Sequence, residues 1–207
     1  MAVTGADLIG AFAAIAAKMA AERDALCALD GEIGDGDHGI GMALGFGAVR
    51  EALAELGDDA APTEVLNTAA RAFLSAVGAS TGPLYATALM RAGAAVKGKD
   101  VLADGDAAAL IAAMAEGIAH RGKAAPGQKT MLDAWVPAAA AAEAADGSFA
   151  EVLAAAAAAA EAGAEATAEM QATMGRAARL GERSLGHRDP GAVSAAMLIG
   201  VLAETLR

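Results

Sequence analysis

From Val152 to Ala160 the chain reads VLAAAAAAA, nine apolar residues bracketed by Glu151 and Glu161, inside an alanine-rich run from about 148 to 174. Nothing in this sequence constrains the fold more. Alanine has the best intrinsic helix propensity, because it loses no side-chain entropy and buries no polar group. The glutamates recur every few residues and predict one solvated helix face. The apolar run is far shorter than the ~20 residues a membrane span needs. The whole chain shares this bias, with alanine at 64 of 207 positions and aromatics at 3%. A sheet protein would want more β-branched and aromatic residues.

Elsewhere, apolar residues recur at helical spacing between Gly/Pro breaks. Leu8, Phe12, Ile15 and Met19 predict a helix over about 4–29. Further helices are predicted over 39–57, from Pro62 to near Gly78, and to about Val96. Three more cover 104–120, a segment ending near Ala145 with Pro137 as a kink, and 148–174. The last begins at Pro190, where an N1 proline belongs, and carries Leu198, Leu202 and Leu206. Eight helices with short connections predict antiparallel neighbours, an all-α bundle and a single domain over 1–207.

Other classes are excluded or disfavoured. Net charge is −11, which disfavours nucleic acid as a partner because phosphate needs a basic footprint. One cysteine, Cys27, excludes an internal disulfide framework, and it is expected to be a small buried residue. Asp7 and the lack of a basic stretch argue against a signal peptide. A cytoplasmic protein with no membrane contact is the expectation.

The chemistry-bearing residues collect in alternate loops. An up-and-down order puts the loops at 30–39, 78–83, 121–129 and 175–190 at one end. The first holds Asp30, Asp35 and Asp37 among Gly31, Gly34, Gly36 and Gly39, followed by His38. Three carboxylates so close repel unless a cation joins them, and hard oxygens without cysteine suit magnesium or calcium. His38 is placed to donate to a phosphate oxygen. Ser80 and Thr81 open a helix between glycines, which suits either an anion or ordinary capping. Arg121 to Thr130 imitates a P-loop, but Gln128 interrupts the motif and no strand precedes it. The last loop holds Arg176, Arg179, Arg183 and Arg188, suited to phosphates or to salt bridges.

Four motifs then stand in order: GDGDHG, STGPLY, GQKTMLDAW and GRAARLGERSLGHRDPGA. Together they resemble the nucleotide-binding L subunit of dihydroxyacetone kinases, of the phosphotransferase-system-dependent type. The resemblance implies a barrel of eight antiparallel helices with Mg-ADP or Mg-ATP at one end. It implies two magnesium ions on Asp30, Asp35 and Asp37. It implies that His38, Gly39, Ile40 and Gly41 wrap the phosphates, with Ser80 and Thr81 as further phosphate contacts. Gly122 and Met131 would flank adenine, and Arg176 with Asp189, Pro190 and Gly191 would complete the nucleotide site. His38 and Arg176 would be the catalytic residues.

The implied partners are a substrate-binding K subunit and a phosphohistidine-bearing M subunit that rephosphorylates bound ADP. A homodimer is also compatible. A related branch uses ATP to phosphorylate ketoses such as tetruloses. The chain departs from the family pattern at Thr81 in place of serine, at Gly41, and at Gln128 in place of aspartate. The alanine-rich barrel also leaves room for an interior cavity.

Overall fold

Thr4 starts the first helix with a reciprocal cap. Its hydroxyl accepts from the Asp7 amide at 3.2 Å, and the Asp7 carboxylate accepts from the Thr4 amide at 2.8 Å. Helix α1 (Gly5–Ala21) then bends at Glu22 into α2 (Arg23–Ile33). The hydrogen bonds Glu22 N to Lys18 O and Leu26 N to Glu22 O persist through the bend. The expected single helix over 4–29 is therefore two, and the second runs on past Asp30. No glycine or proline marks the break.

The remaining helices are α3 (His38–Leu53), α4 (Pro62–Ala76), α5 (Thr81–Ala95), α6 (Asp106–Gly122), α7 (Leu132–Ala144), α8 (Phe149–Ala166) and α9 (Pro190–Thr205). Pro137 sits inside α7 without ending it. The predicted seventh helix stops early. After Ala166 the chain makes a short 3₁₀ turn, Thr167–Glu169, and a second irregular one, Ala177–Ser184. The structure, a computed structural model, describes residues 2–207 except Asp58 and Ala79. Those two fall in predicted loops and lie outside the described residues. Among the described residues there is no strand, only a single bridge pairing Val3 with Leu102.

Sequence neighbours pack side by side from α3 to α9, and α1 packs on both α3 and α9. Eight helices thus close a ring, with α2 as an extension against α3. Each helix in the ring is antiparallel to the next, because loops alternate between the two ends. Small residues permit the close approach. At Gly45 an added Cβ would fall 2.3 Å from the Phe73 ring, and at Gly163 it would fall 2.0 Å from the Asp133 carbonyl oxygen.

The interior is filled. Phe46, Phe73 and Tyr85 form an aromatic cluster with ring centroids 5.0–6.0 Å apart. Trp135 is fully buried, as a core residue should be. Each large apolar side chain buried this way contributes about 1.5–3 kcal/mol. A small apolar space of ≈ 30 Å³ inside the ring is lined by residues such as Phe12, Leu89, Leu153 and Leu202. Cys27 is only partly buried, contrary to expectation. No helix among the described residues is long and apolar enough to cross a membrane.

Candidate functional site

One end of the ring opens into a cleft of ≈ 490 Å³, lined from all four predicted loops. The far-end connections contribute nothing to it. The acidic corner is built from α2 and the turn after it. Asp30 sits on the last turn of α2, not in a loop, so a helix fixes its backbone. Its carboxylate accepts the amides of Asp37 at 2.9 Å and His38 at 3.2 Å. Oxygens of Asp30, Asp35 and Asp37 lie within 4.8 Å of one another. Three anionic hard oxygens at that spacing fit a magnesium or calcium ion. Arg176 pairs with Asp35, so one cation already leans on the cluster.

His38 begins α3, and its Nε2 lies 2.8 Å from the Ser194 hydroxyl on α9. Ser194 gives its single proton to the Gly191 carbonyl at 3.0 Å. The hydrogen between His38 and Ser194 therefore belongs to the ring, and Nδ1 is the bare nitrogen. Burial pushes the His38 pKa below its ordinary value, with the Asp30 charge opposing. That shift favours the neutral ring, whose free edge is the Nδ1 acceptor. Behind it, the Tyr85 hydroxyl and Trp135 Nε1 are fully buried, the hydroxyl facing Trp135 and Ser194.

The second loop brings Ser80 and Thr81 to the cleft wall. Ser80 stands at the N-cap of α5, but its side chain makes no capping bond. Ordinary capping therefore does not occupy this hydroxyl. Pro83, Leu84 and Ile118 continue the wall as an apolar surface with Gly122, Met131 and Leu132.

The third loop is shaped by Asp133, which is buried and accepts the amides of Gly127 at 2.5 Å and Thr130 at 2.8 Å. Gln128 accepts the Ala125 amide at 2.8 Å, so this departure from the family pattern closes a turn and is not among the residues lining the cleft. Lys129, which in a P-loop would reach phosphate, is 1% exposed and points into the protein.

The fourth segment contributes Met174, Gly175, Arg176 and the Asp189–Pro190–Gly191 turn. Asp189 caps α9, accepting the Ala192 amide at 2.8 Å. Its pKa is pushed up to about 7, chiefly by burial, with the charges of Asp133 and Asp30 adding to it and the Ala192 amide and Lys129 opposing. The neighbouring basic side chains are engaged elsewhere: His187 bonds Glu32 at 2.9 Å, and Arg188 pairs with Glu165. Salt bridging explains Arg188.

Most residues singled out from sequence line this cleft: Asp30, Asp35, Asp37, His38, Ser80, Thr81, Gly122, Met131, Arg176, Asp189, Pro190 and Gly191. Gly39, Ile40 and Gly41 do not. Ile40 is 48% exposed on the outer face of α3, and Gly39 packs against the Arg23 carbonyl of α2, where a Cβ would fall 2.0 Å from oxygen.

Comparison with known proteins adds a lineage to this geometry. The DAK2 domain model matches residues 32–204. The chain belongs to the DAK2 domain family. An ADP-binding DhaL subunit of a PEP-dependent dihydroxyacetone kinase from Listeria innocua is 40% identical over 90% of this chain and 88% of its own length. A D-erythrulose kinase of Mycolicibacterium smegmatis is 38% identical over 97% of this chain, but only 35% of that enzyme is covered. The crystal structure of the Citrobacter freundii dihydroxyacetone kinase with AMP-PNP and Mg²⁺ superposes with a TM-score of 0.74 at 27% identity, covering 95% of this chain and 33% of that one. The chain thus corresponds to about one third of that larger kinase. These relatives of the DAK2 family are named as kinases, and the all-α ring is the architecture they share with this chain.

Proposed function

We propose that this DAK2-family chain is the ADP-binding phosphotransfer subunit of a dihydroxyacetone kinase. It would form one domain over residues 1–207 and work in the cytoplasm. The observation that carries the reading is the meeting of Asp30, Asp35 and Asp37 with Arg176 in a single cleft that has an apolar wall. A diphosphate needs cations at one end, and a purine needs an apolar slot at the other.

The three aspartates would hold two magnesium ions, which neutralise phosphate charge and orient the transferred group. The protein's own part is positioning. Asp30 is preset by two amides, so its carboxylate needs no reorganisation on binding. Arg176, which pairs with Asp35, would offer its planar fork to the phosphoryl oxygens when magnesium takes the carboxylates. His38, held by Ser194 through Nε2, presents Nδ1 to the site as an acceptor for a bound water or as a ligand to magnesium, not as a donor to the phosphoryl oxygens. Ser80, Thr81 and the first turn of α5 offer hydroxyls and free amides to the anion. Gly122 and Met131 flank the base, and Asp189, Pro190 and Gly191 close the site. For Gly39 and Ile40 only backbone amides remain as phosphate contacts, while the Gly41 amide already donates to the Asp37 carbonyl at 3.0 Å.

The ketone would be bound on a separate K subunit. A phosphohistidine-bearing M subunit would rephosphorylate ADP in place, and self-association to a homodimer is compatible with this scheme. The 38% identity to a D-erythrulose kinase over nearly the whole chain supports a second reading, the nucleotide-binding part of an ATP-dependent ketose kinase.

The nucleotide that survives purification separates the two. The chain is purified with magnesium alone, denatured, and any released nucleotide identified by chromatography. Stoichiometric ADP is expected. An empty site that exchanges ATP freely would transfer the lead to the ketose-kinase reading. A chain that binds neither nucleotide would sink both.

A further inference from the structure

Lys129 is the only lysine buried among the described residues, at 1% exposure. Its ammonium lies 2.9 Å from the carbonyl oxygen of Thr167, 3.0 Å from Met170, 2.6 Å from Ser184 and 2.5 Å from His187. Three protons serve four acceptors, so at least one is shared. The four carbonyls come from the two limbs of the segment between α8 and α9, which also carries Arg176 and leads into Asp189. Without a cation between them, these oxygens would face one another partly desolvated and repel.

The lysine is driven into this position by its backbone. Its φ is +60°, in the left-handed region that suits glycine. The Asp133 carboxylate holds that conformation by taking the amides on either side, Gly127 and Thr130. Two side-chain bonds complete the organisation of the segment, from the Ala172 amide to Ser184 Oγ and from the Asp189 amide to Thr167 Oγ1, at 2.9 and 2.8 Å.

We propose that Lys129 is a positioning residue acting as a tethered monovalent cation, whose ammonium draws the 167–187 segment closed and so sets Arg176 and Asp189 in the cleft. A ring of carbonyls is the coordination that desolvated potassium and ammonium ions accept in proteins. The same four oxygens will therefore take a free cation of that size once the tether is removed. The nucleotide consequence rests on the reading of the cleft given above; the cation cage itself does not.

The test uses Lys129→Gly, which removes the ammonium and fits φ +60°. Affinity for Mg-ADP is measured by calorimetry at fixed ionic strength in tetramethylammonium, potassium or ammonium chloride. Backbone hydrogen exchange over residues 168–188 is read in the same salts without nucleotide. In tetramethylammonium, which is too large to enter, the variant should bind on the order of ten- to a hundredfold more weakly than wild type. It should also exchange faster across the segment. Ammonium and potassium should restore most of both, while wild type responds to none of the three salts.

No cation dependence in the variant, or an equal one in wild type, would overturn the proposal. If wild type itself binds no Mg-ADP, the nucleotide reading falls while the exchange data still decide the cage. Should Lys129→Gly not fold in any salt, the wild type carries its own readout. A caged ammonium gives a slowly exchanging lysine signal in ¹⁵N-resolved spectra at neutral pH, and absence of that signal overturns the proposal.

Discussion

Asp106 at the far end of the ring and Asp30 at the cleft end are buried to nearly the same degree, 7% and 9% exposed. Asp106 is complete. It bonds Lys99 at 2.5 Å and the Ala103 amide at 2.9 Å, closing the turn before α6. Asp30 has only amides, and its neighbours are two more carboxylates within 4.8 Å. The same side chain is thus a finished structural bond at one end and an unneutralised group at the other. The far end also holds the two reciprocal caps, at Thr4 with Asp7 and Ser148 with Glu151. Stability is concentrated where polar groups are paired with one another. Charge is left uncompensated where the three carboxylates meet the cleft.

The largest test of that contrast is Asp35→Asn. It should lower magnesium-dependent phosphotransfer, assayed with a K partner, by roughly 10²–10³-fold. The apo melting temperature should move by no more than about 2 °C, as for other exposed substitutions. Retained transfer would remove the metal assignment. A magnesium titration sharpens the result, because a ligand at 100 times its Kd stabilises the fold by about 2.7 kcal/mol. That shift should be present in wild type and absent in Asp35→Asn.

Next in size is Arg176→Ala, expected to lower kcat by about 10²-fold with a smaller change in nucleotide affinity. Lysine should recover only part, because a point charge does not reproduce the guanidinium fork. A full recovery would reduce Arg176 to a general source of positive charge.

The ring and its polarity were legible in the sequence. Helical spacing gave the elements, and short loops gave the alternation that brings Asp30, Ser80, Gly122 and Arg176 to one end. What failed was whatever depends on side-chain direction. The bend at Glu22 has no glycine or proline to announce it, because it is imposed by packing on α3 and α9. It carries Asp30 from a predicted loop onto a helix. Lys129 looks like an anion contact by composition, yet a positive φ turns it inward. Ile40 falls between cleft-facing His38 and core-facing Met42 and points out to solvent. Phe46, Phe73 and Tyr85, three of only six aromatic residues in the chain, cluster inside the alanine-rich ring, a contact that helical spacing alone does not reveal.

Asp106→Asn probes the finished end. It should leave phosphotransfer unchanged while losing a charged hydrogen bond of about 1–2 kcal/mol. For a chain of this size that is a fall in melting temperature of roughly 2–8 °C. Loss of activity out of proportion to stability would blur the division between the two ends.

The smallest effect concerns Asp189, whose folded pKa of about 7 lies above its ordinary value of 3.8. Between those values the folded state holds a proton that the unfolded chain releases. Stability from this group is therefore fully present below about pH 4 and is lost as pH rises through 7. His38 acts in the opposite sense. Its folded pKa is lowered from 6.5, so its contribution is lost as pH falls below that value. Wild type alone would show the two slopes partly cancelling. Asparagine at 189 keeps an oxygen to cap Ala192 but cannot ionise, and His38 is untouched. The difference in melting temperature between wild type and Asp189→Asn, followed from pH 4 to 8, isolates the carboxyl. The variant should gain on wild type by a few degrees across that range. Parallel profiles would mean that Asp189 is already ionised in the folded cleft at low pH. Its elevated pKa could then no longer mark this end as the one left uncompensated.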